Sequence, residues 1–181
     1  MILEHHENTG IDFEGTIIDI ESIGGFNQAF KYDTRHYKDI KQVILGYITR
    51  EYLHIFCATC IEEIDELKNK TPEIFTKLPR PYYAFNCNFE SSVLFNQCNL
   101  QIEFEGELQG EPYERKKDAI LKLRIPNYDD PFFDLGVMCI KAWNTQDFKK
   151  AIAHNRACLL KERDILVKRG HCQPDKVKFV K

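Results

Sequence analysis

Apolar and polar positions divide the chain into a strand-rich first half and a helix-rich second half. The run Thr16-Ile17-Ile18-Asp19-Ile20-Glu21-Ser22-Ile23-Gly24 is rich in β-branched residues and reads as a buried strand, ended by Gly24-Gly25. The segments Gln42 to Thr49 and Tyr52 to Cys57 flank Arg50-Glu51 and predict a hairpin with a tight connection. Ile61, Ile64 and Leu67 recur at a helical spacing with acids between them, which predicts a helix over Ile61 to Lys68. Thr71-Pro72 places a proline where a second short helix would begin. Tyr82 to Phe85 reads as a short strand and Phe89 to Gln97 as a helix. The end of the chain is helical from about Leu135 to Trp143 and from Gln146 to about Lys168, with a break near His154 and Gly170 as the stop.

Two stretches fit neither period. Asn99 to Asp130 holds Gly106, Gly110, Pro112 and the charged run Glu114 to Asp118, and is expected to be an irregular excursion over one edge of the domain. From about His171 onward the chain reads as a loose, basic tail. The chain has 181 residues, which predicts a single domain spanning 1–181 with a full hydrophobic core. A net charge of −3 gives no overall positive field, so a polyanionic partner would need local basic groups or bridging metal ions. Seven cysteines, a polar N-terminus and no apolar run near membrane-spanning length predict a cytoplasmic protein with reduced thiols and no membrane partner.

The acids of the first strand carry the chemistry. Side chains alternate along a strand, so Asp19 and Glu21 share one face about 7 Å apart. Two carboxylates on one face of a buried strand repel unless a cation lies between them, which makes them candidate ligands for Mg²⁺ or Mn²⁺. The plainer alternative ends the strand at Ile20 and leaves both acids solvated at the turn. Glu90, in Asn86-Cys87-Asn88-Phe89-Glu90, falls in the first turn of a helix, where the helix dipole favours a carboxylate with or without a metal. Cys57-Ala58-Thr59-Cys60 lacks a second pair for a four-ligand zinc site and reads as two buried or half-buried thiols. The clusters Arg115-Lys116-Lys117, Lys149-Lys150 and Lys168-Arg169 read as solvated faces, with phosphate contacts as the alternative.

Ile18 to Gly24 resembles the first motif of the DEDD 3′–5′ exonucleases of the RNase H-like superfamily, a strand bearing Asp-x-Glu. Asn86-x-x-Phe89-Glu90 resembles the second motif, with Glu where the family has Asp, and the helix from His154 to Glu162 resembles the third. The resemblance implies an α/β fold, with an RNase H-like mixed central sheet flanked by helices. It also implies a metal-dependent 3′–5′ exonuclease that hydrolyses terminal phosphodiesters at a single-stranded 3′ end of DNA or RNA. In that scheme Asp19, Glu21 and Glu90 hold Mg²⁺ or Mn²⁺, His154 is the general base, and Asn86 and Phe89 bind substrate. The family's fourth acid would fall near Cys158 or Leu159, and neither is a carboxylate. Glu162 stands two turns, about 12 Å, beyond His154. Asp134 is another candidate, with capping of the next helix as its ordinary role. The alternative is a catalytically degenerate RNase H-like domain that binds nucleic acid or a protein partner.

Overall fold

The computed structural model describes residues 1–111 and 113–181; Pro112, inside the expected excursion, lies outside them. The chain is α/β. Its strands are β1 (Leu3–Asn8), β2 (Thr16–Ile23), β3 (Lys41–Thr49), β4 (Tyr52–Cys57), β5 (Tyr82–Ala84) and β6 (Gly106–Glu107). The helices are α1 (Ile61–Phe75), α2 (Cys87–Cys98), α3 (Lys116–Leu123), α4 (Gly136–Asn144) and α5 (Phe148–Arg169), with two 3-10 turns at Gln28–Phe30 and Thr34–Tyr37. The strands form one mixed sheet in the order β1-β4-β3-β2-β5-β6. β1, β4, β3 and β2 pair antiparallel, whereas β5 and β6 continue the sheet parallel to β2.

Ile17, Ile18, Ile44, Leu45, Ile48, Leu53 and Ile55 are fully buried because both faces of the central strands are covered. On one face Lys70 of α1 lies over the Phe56 ring and Gln42 meets Thr71 of α1 and Cys98 of α2. α4 and α5 cover the other face; Gly46 lies directly beneath Asn155 and Leu159 of α5. A β-bulge reconciles these contacts. Glu21 stands opposite Ile44 but Ser22 opposite Gln42, so Val43 is an extra residue and Gln42 is turned to the α1 and α2 side.

Several elements differ from the sequence pattern. β1 has no apolar alternation, since Leu3 to Asn8 is an edge strand with a mostly solvated surface. The two short helices expected around Pro72 are one helix, α1, with Pro72 inside it. Ile64, Leu67, Thr71, Ile74 and Phe75 keep a single buried face across the proline, and the Thr71 hydroxyl donates to the Leu67 carbonyl at 2.7 Å. α5 runs unbroken through His154. The excursion contains β6 and α3, and the segment after His171 is tied down rather than loose. Cys172 and Glu107 exchange backbone hydrogen bonds, and the Thr34 hydroxyl and Val180 exchange another pair. No helix among the described residues is long and apolar enough to cross a membrane.

Candidate functional site

The covered face of β2 carries Asp19 and Glu21, which confirms their common orientation and removes the solvated alternative for Asp19, buried at 6% exposure. Asp19 stands opposite Gly46 in the β2–β3 register. Because Gly46 has no side chain, Asn155 descends from α5 and donates to Asp19 Oδ2 at 2.7 Å. A Cβ at position 46 would lie 2.0 Å from Asn155 Oδ1. The glycine is therefore what lets α5 dock on the acid strand.

Three further charged groups converge beside Asp19. Lys116, the first residue of α3, donates to Asp19 Oδ1 at 2.9 Å and lies 2.5 Å from Glu162 Oε1. The basic cluster around residue 116 is thus only partly a solvated face. Glu162, on α5, is fully buried, and its Oε2 has no hydrogen-bond partner. Glu90 enters from the first turn of α2, which Asn86 caps by accepting from the Phe89 amide at 3.2 Å. Glu90 is 4% exposed and its Oε2 is likewise without a partner. Burial, then the charges of Asp19 and Glu162, push the Glu90 pKa well up. Burial also raises Glu162, against the pull of Lys116. Glu21 rises to about 7 through burial and the nearby Asp19 charge. Burial is the leading cause of all three shifts, and the neighbouring carboxylates add to it.

His154 lies at the Glu21 end of the same cavity. Its Nδ1 is 2.8 Å from Asp130 Oδ1, its Nε2 is 3.6 Å from Glu21 Oε1, and the Cys158 Sγ is 3.7 Å from Nε2. Burial works against a charged ring, but Cys158, Asp130 and Glu21 outweigh it and raise the His154 pKa. Asp130 is held in turn by Lys161 at 2.8 Å and by the backbone amides of Phe132 and Asp134. Burial favours its neutral form, but bonds from His154 and Lys161 keep it a strong acid. Asp134 does not cap α4; it accepts from Lys161 at 2.6 Å.

Asp19, Glu21, Asn86, Phe89, Glu90, Lys116, Asp134, His154 and Cys158 all line a cavity of about 350 Å³, with Phe26 and Phe85 beside them. Larger hollows of about 650 and 600 Å³ elsewhere contain no buried carboxylate. Sharing a cavity is not the same as sharing an ion. Among the described residues, the group whose ligand atoms all lie within 4.8 Å of one another is Glu21, His154 and Cys158, rather than Asp19, Glu21 and Glu90. Sequence reasoning missed Lys116, Asp130, Asn155 and Lys161. Cys57 and Cys60 stay outside any such group; Cys57 is buried and Cys60 half-buried, as expected of plain thiols. No family model, curated protein or solved structure matches the chain.

Proposed function

We propose that this chain is a divalent-metal-dependent nuclease of RNase H-like fold, acting as a 3′–5′ exonuclease on the terminal phosphodiesters of single-stranded DNA or RNA. The mixed sheet flanked by helices is compatible with that fold. The observation that carries the reading is the pair of buried, unpartnered oxygens, Glu90 Oε2 and Glu162 Oε2, on acids near Asp19, which shares the Lys116 ammonium with Glu162. Buried carboxylate oxygens without partners are costly, and a cation offsets that cost. The carboxylate oxygens of Asp19, Glu21, Glu90 and Glu162 are the donor type a hard cation such as Mg²⁺ or Mn²⁺ takes, but no three of these acids hold their oxygens within 4.8 Å of one another, so binding would have to draw them together. Glu162 takes the part of the acid that Cys158 does not supply. When bound, such ions supply Lewis-acid charge to a phosphodiester and lower the pKa of a coordinated water.

The chain's own groups set the stage for that chemistry. Asn155 fixes the Asp19 carboxylate, and the bulge after Glu21 ends the regular pairing at the cavity. Phe26 is half-exposed and Phe89 partly so, which gives two aromatic faces on which terminal bases can stack. Asn86 is exposed beside them, within reach of a sugar or phosphate. The raised pKa of His154 keeps a proton on the ring near Glu21, so its service as a general base requires that proton to leave first. Labelled single-stranded DNA and RNA, incubated with Mn²⁺, should release nucleotides from the 3′ end, and Asp19→Asn should abolish the release. Full activity in Asp19→Asn would remove this reading.

A second reading rests on Lys116. An ammonium between Asp19 and Glu162 occupies space that a metal would use, as in a catalytically degenerate domain that binds nucleic acid or a protein partner. Oligonucleotide binding without nucleotide release at any Mn²⁺ concentration would select it.

A further inference from the structure

One part of the cavity is built for a different kind of ion. His154 and Cys158 are one helical turn apart on α5, so they project to the same side. Glu21 faces them from β2, and all three donors lie within 4.8 Å of one another. In a tetrahedral zinc site the N···O edge is about 3.4 Å and the N···S edge about 3.6 Å, from the usual metal–ligand distances. The corresponding separations here are 3.6 Å for His154 Nε2 to Glu21 Oε1 and 3.7 Å for His154 Nε2 to Cys158 Sγ. Both edges to His154 therefore lie within a few tenths of an ångström of those values, and the Glu21–Cys158 edge is within 4.8 Å.

The support behind the histidine is equally specific. A ligating imidazole commonly gives its other N–H to a carboxylate, which fixes the tautomer and orients the ring. His154 has that arrangement, with Nδ1 directed at Asp130 and Asp130 anchored by Lys161 and two backbone amides. His154 is 2% exposed and Cys158 3%, so neither donor is a surface accident.

We propose that Glu21, His154 and Cys158 bind one borderline transition-metal ion of the zinc class. A thiolate ligand discriminates against Mg²⁺ and favours Zn²⁺. Binding forms bonds from the metal to sulfur, nitrogen and oxygen, and releases the Cys158 thiol proton and the His154 Nε2 proton to solvent. No oxidation is involved. Three protein ligands leave one tetrahedral position open, as in catalytic rather than structural zinc sites, and the open position takes water or an oxyanion such as a phosphate oxygen. The site shares Glu21 and His154 with the nuclease reading but does not rest on it.

The test uses the full chain, stripped of metal, and Co²⁺ as a spectroscopic probe. One equivalent of Co²⁺ should produce an intense tetrahedral visible spectrum and a sulfur-to-cobalt charge-transfer band, and one equivalent of Zn²⁺ should erase both. Excess Mg²⁺ should leave both unchanged. Cys158→Ser should remove the charge-transfer band and weaken Zn²⁺ binding at least about 100-fold, and Asp130→Asn should weaken it about 10- to 100-fold. Cys60→Ser and Cys172→Ser, at thiols outside the group, should bind Zn²⁺ as the parent does. Co²⁺ bound without the charge-transfer band, or Cys158→Ser binding Zn²⁺ with parental affinity, overturns the proposal. The parental spectrum decides the matter even if Cys158→Ser fails to fold. Zinc bound as described, with no Mn²⁺-dependent nucleotide release by the zinc-free protein, would retire the nuclease reading alone.

Discussion

Lys116 bridges Asp19 and Glu162, whose side chains are 8% and 0% exposed. Removing one partner of a buried ion pair typically costs about 3–5 kcal/mol, because the remaining charge is stranded. Lys116→Met should therefore lower the stability of the metal-free protein by an amount of that order, read from urea unfolding, and should tighten Mn²⁺ binding. An unchanged unfolding midpoint would mean that the pair contributes nothing net to folding. At this scale the sequence revealed those acids whose neighbours form a local pattern. Asp19 and Glu21 share a strand face, and Glu90 follows an Asn cap. Glu162 was obscure because it lies two turns from His154; it joins the cluster through Lys116, which also holds Asp19. Lys116 and Asp130 gave no local signal, since their partners are distant in sequence.

The docking of α5 on β2 and β3 is the element-level event that assembles the site. Gly46→Ala would place a methyl group 2.0 Å from Asn155 Oδ1 and 2.8 Å from a Leu159 methyl. Overpacking of this sort costs about 1–3 kcal/mol, occasionally more. Gly46→Ala should thus lower the thermal midpoint, and it should weaken metal binding beyond that loss, because His154, Cys158 and Glu162 all travel with the helix. Parental metal affinity in a destabilised Gly46→Ala would show that the helix yields elsewhere. Elements with a strong period were legible: β2, β3, β4, α2 and the late helices. β1 was not, because an edge strand with charged residues on it has no apolar alternation to read. Pro72 reads as a start signal because it suits a first turn, yet the continuous buried face of α1 outweighs the one backbone bond that proline removes.

For the whole molecule the buried acids set a pH dependence. Glu21, Glu90 and Glu162 bind protons more tightly folded than unfolded, so their contribution is fully present below about pH 4.5 and is lost as pH rises, for Glu21 through about 7. His154, also raised, adds a loss that begins above its ordinary value of 6.5. Asp130, whose partners hold its pKa down, works in the opposite sense and loses its contribution only in strong acid. The thermal midpoint of the metal-free protein should accordingly fall between pH 4.5 and 7. A saturating divalent metal should flatten that slope, since it replaces the missing positive charge. Calorimetry across that range, with and without Mn²⁺, measures both effects; a midpoint that climbs with pH in the absence of metal would contradict the raised pKa values of the buried acids.

Lys116 opens α3, and α3 rests on α5 through the stretch expected to be an irregular excursion. A cation that takes the place of its ammonium removes the tether of that helix's first turn to Asp19 and Glu162. Ligand occupancy and the accessibility of the backbone near residue 116 are then a single variable. Trypsin should cut after Arg115, Lys116 or Lys117 slowly in the apo protein and faster once the acids are loaded, so that a cleavage ladder on a gel would report whether the acids are occupied.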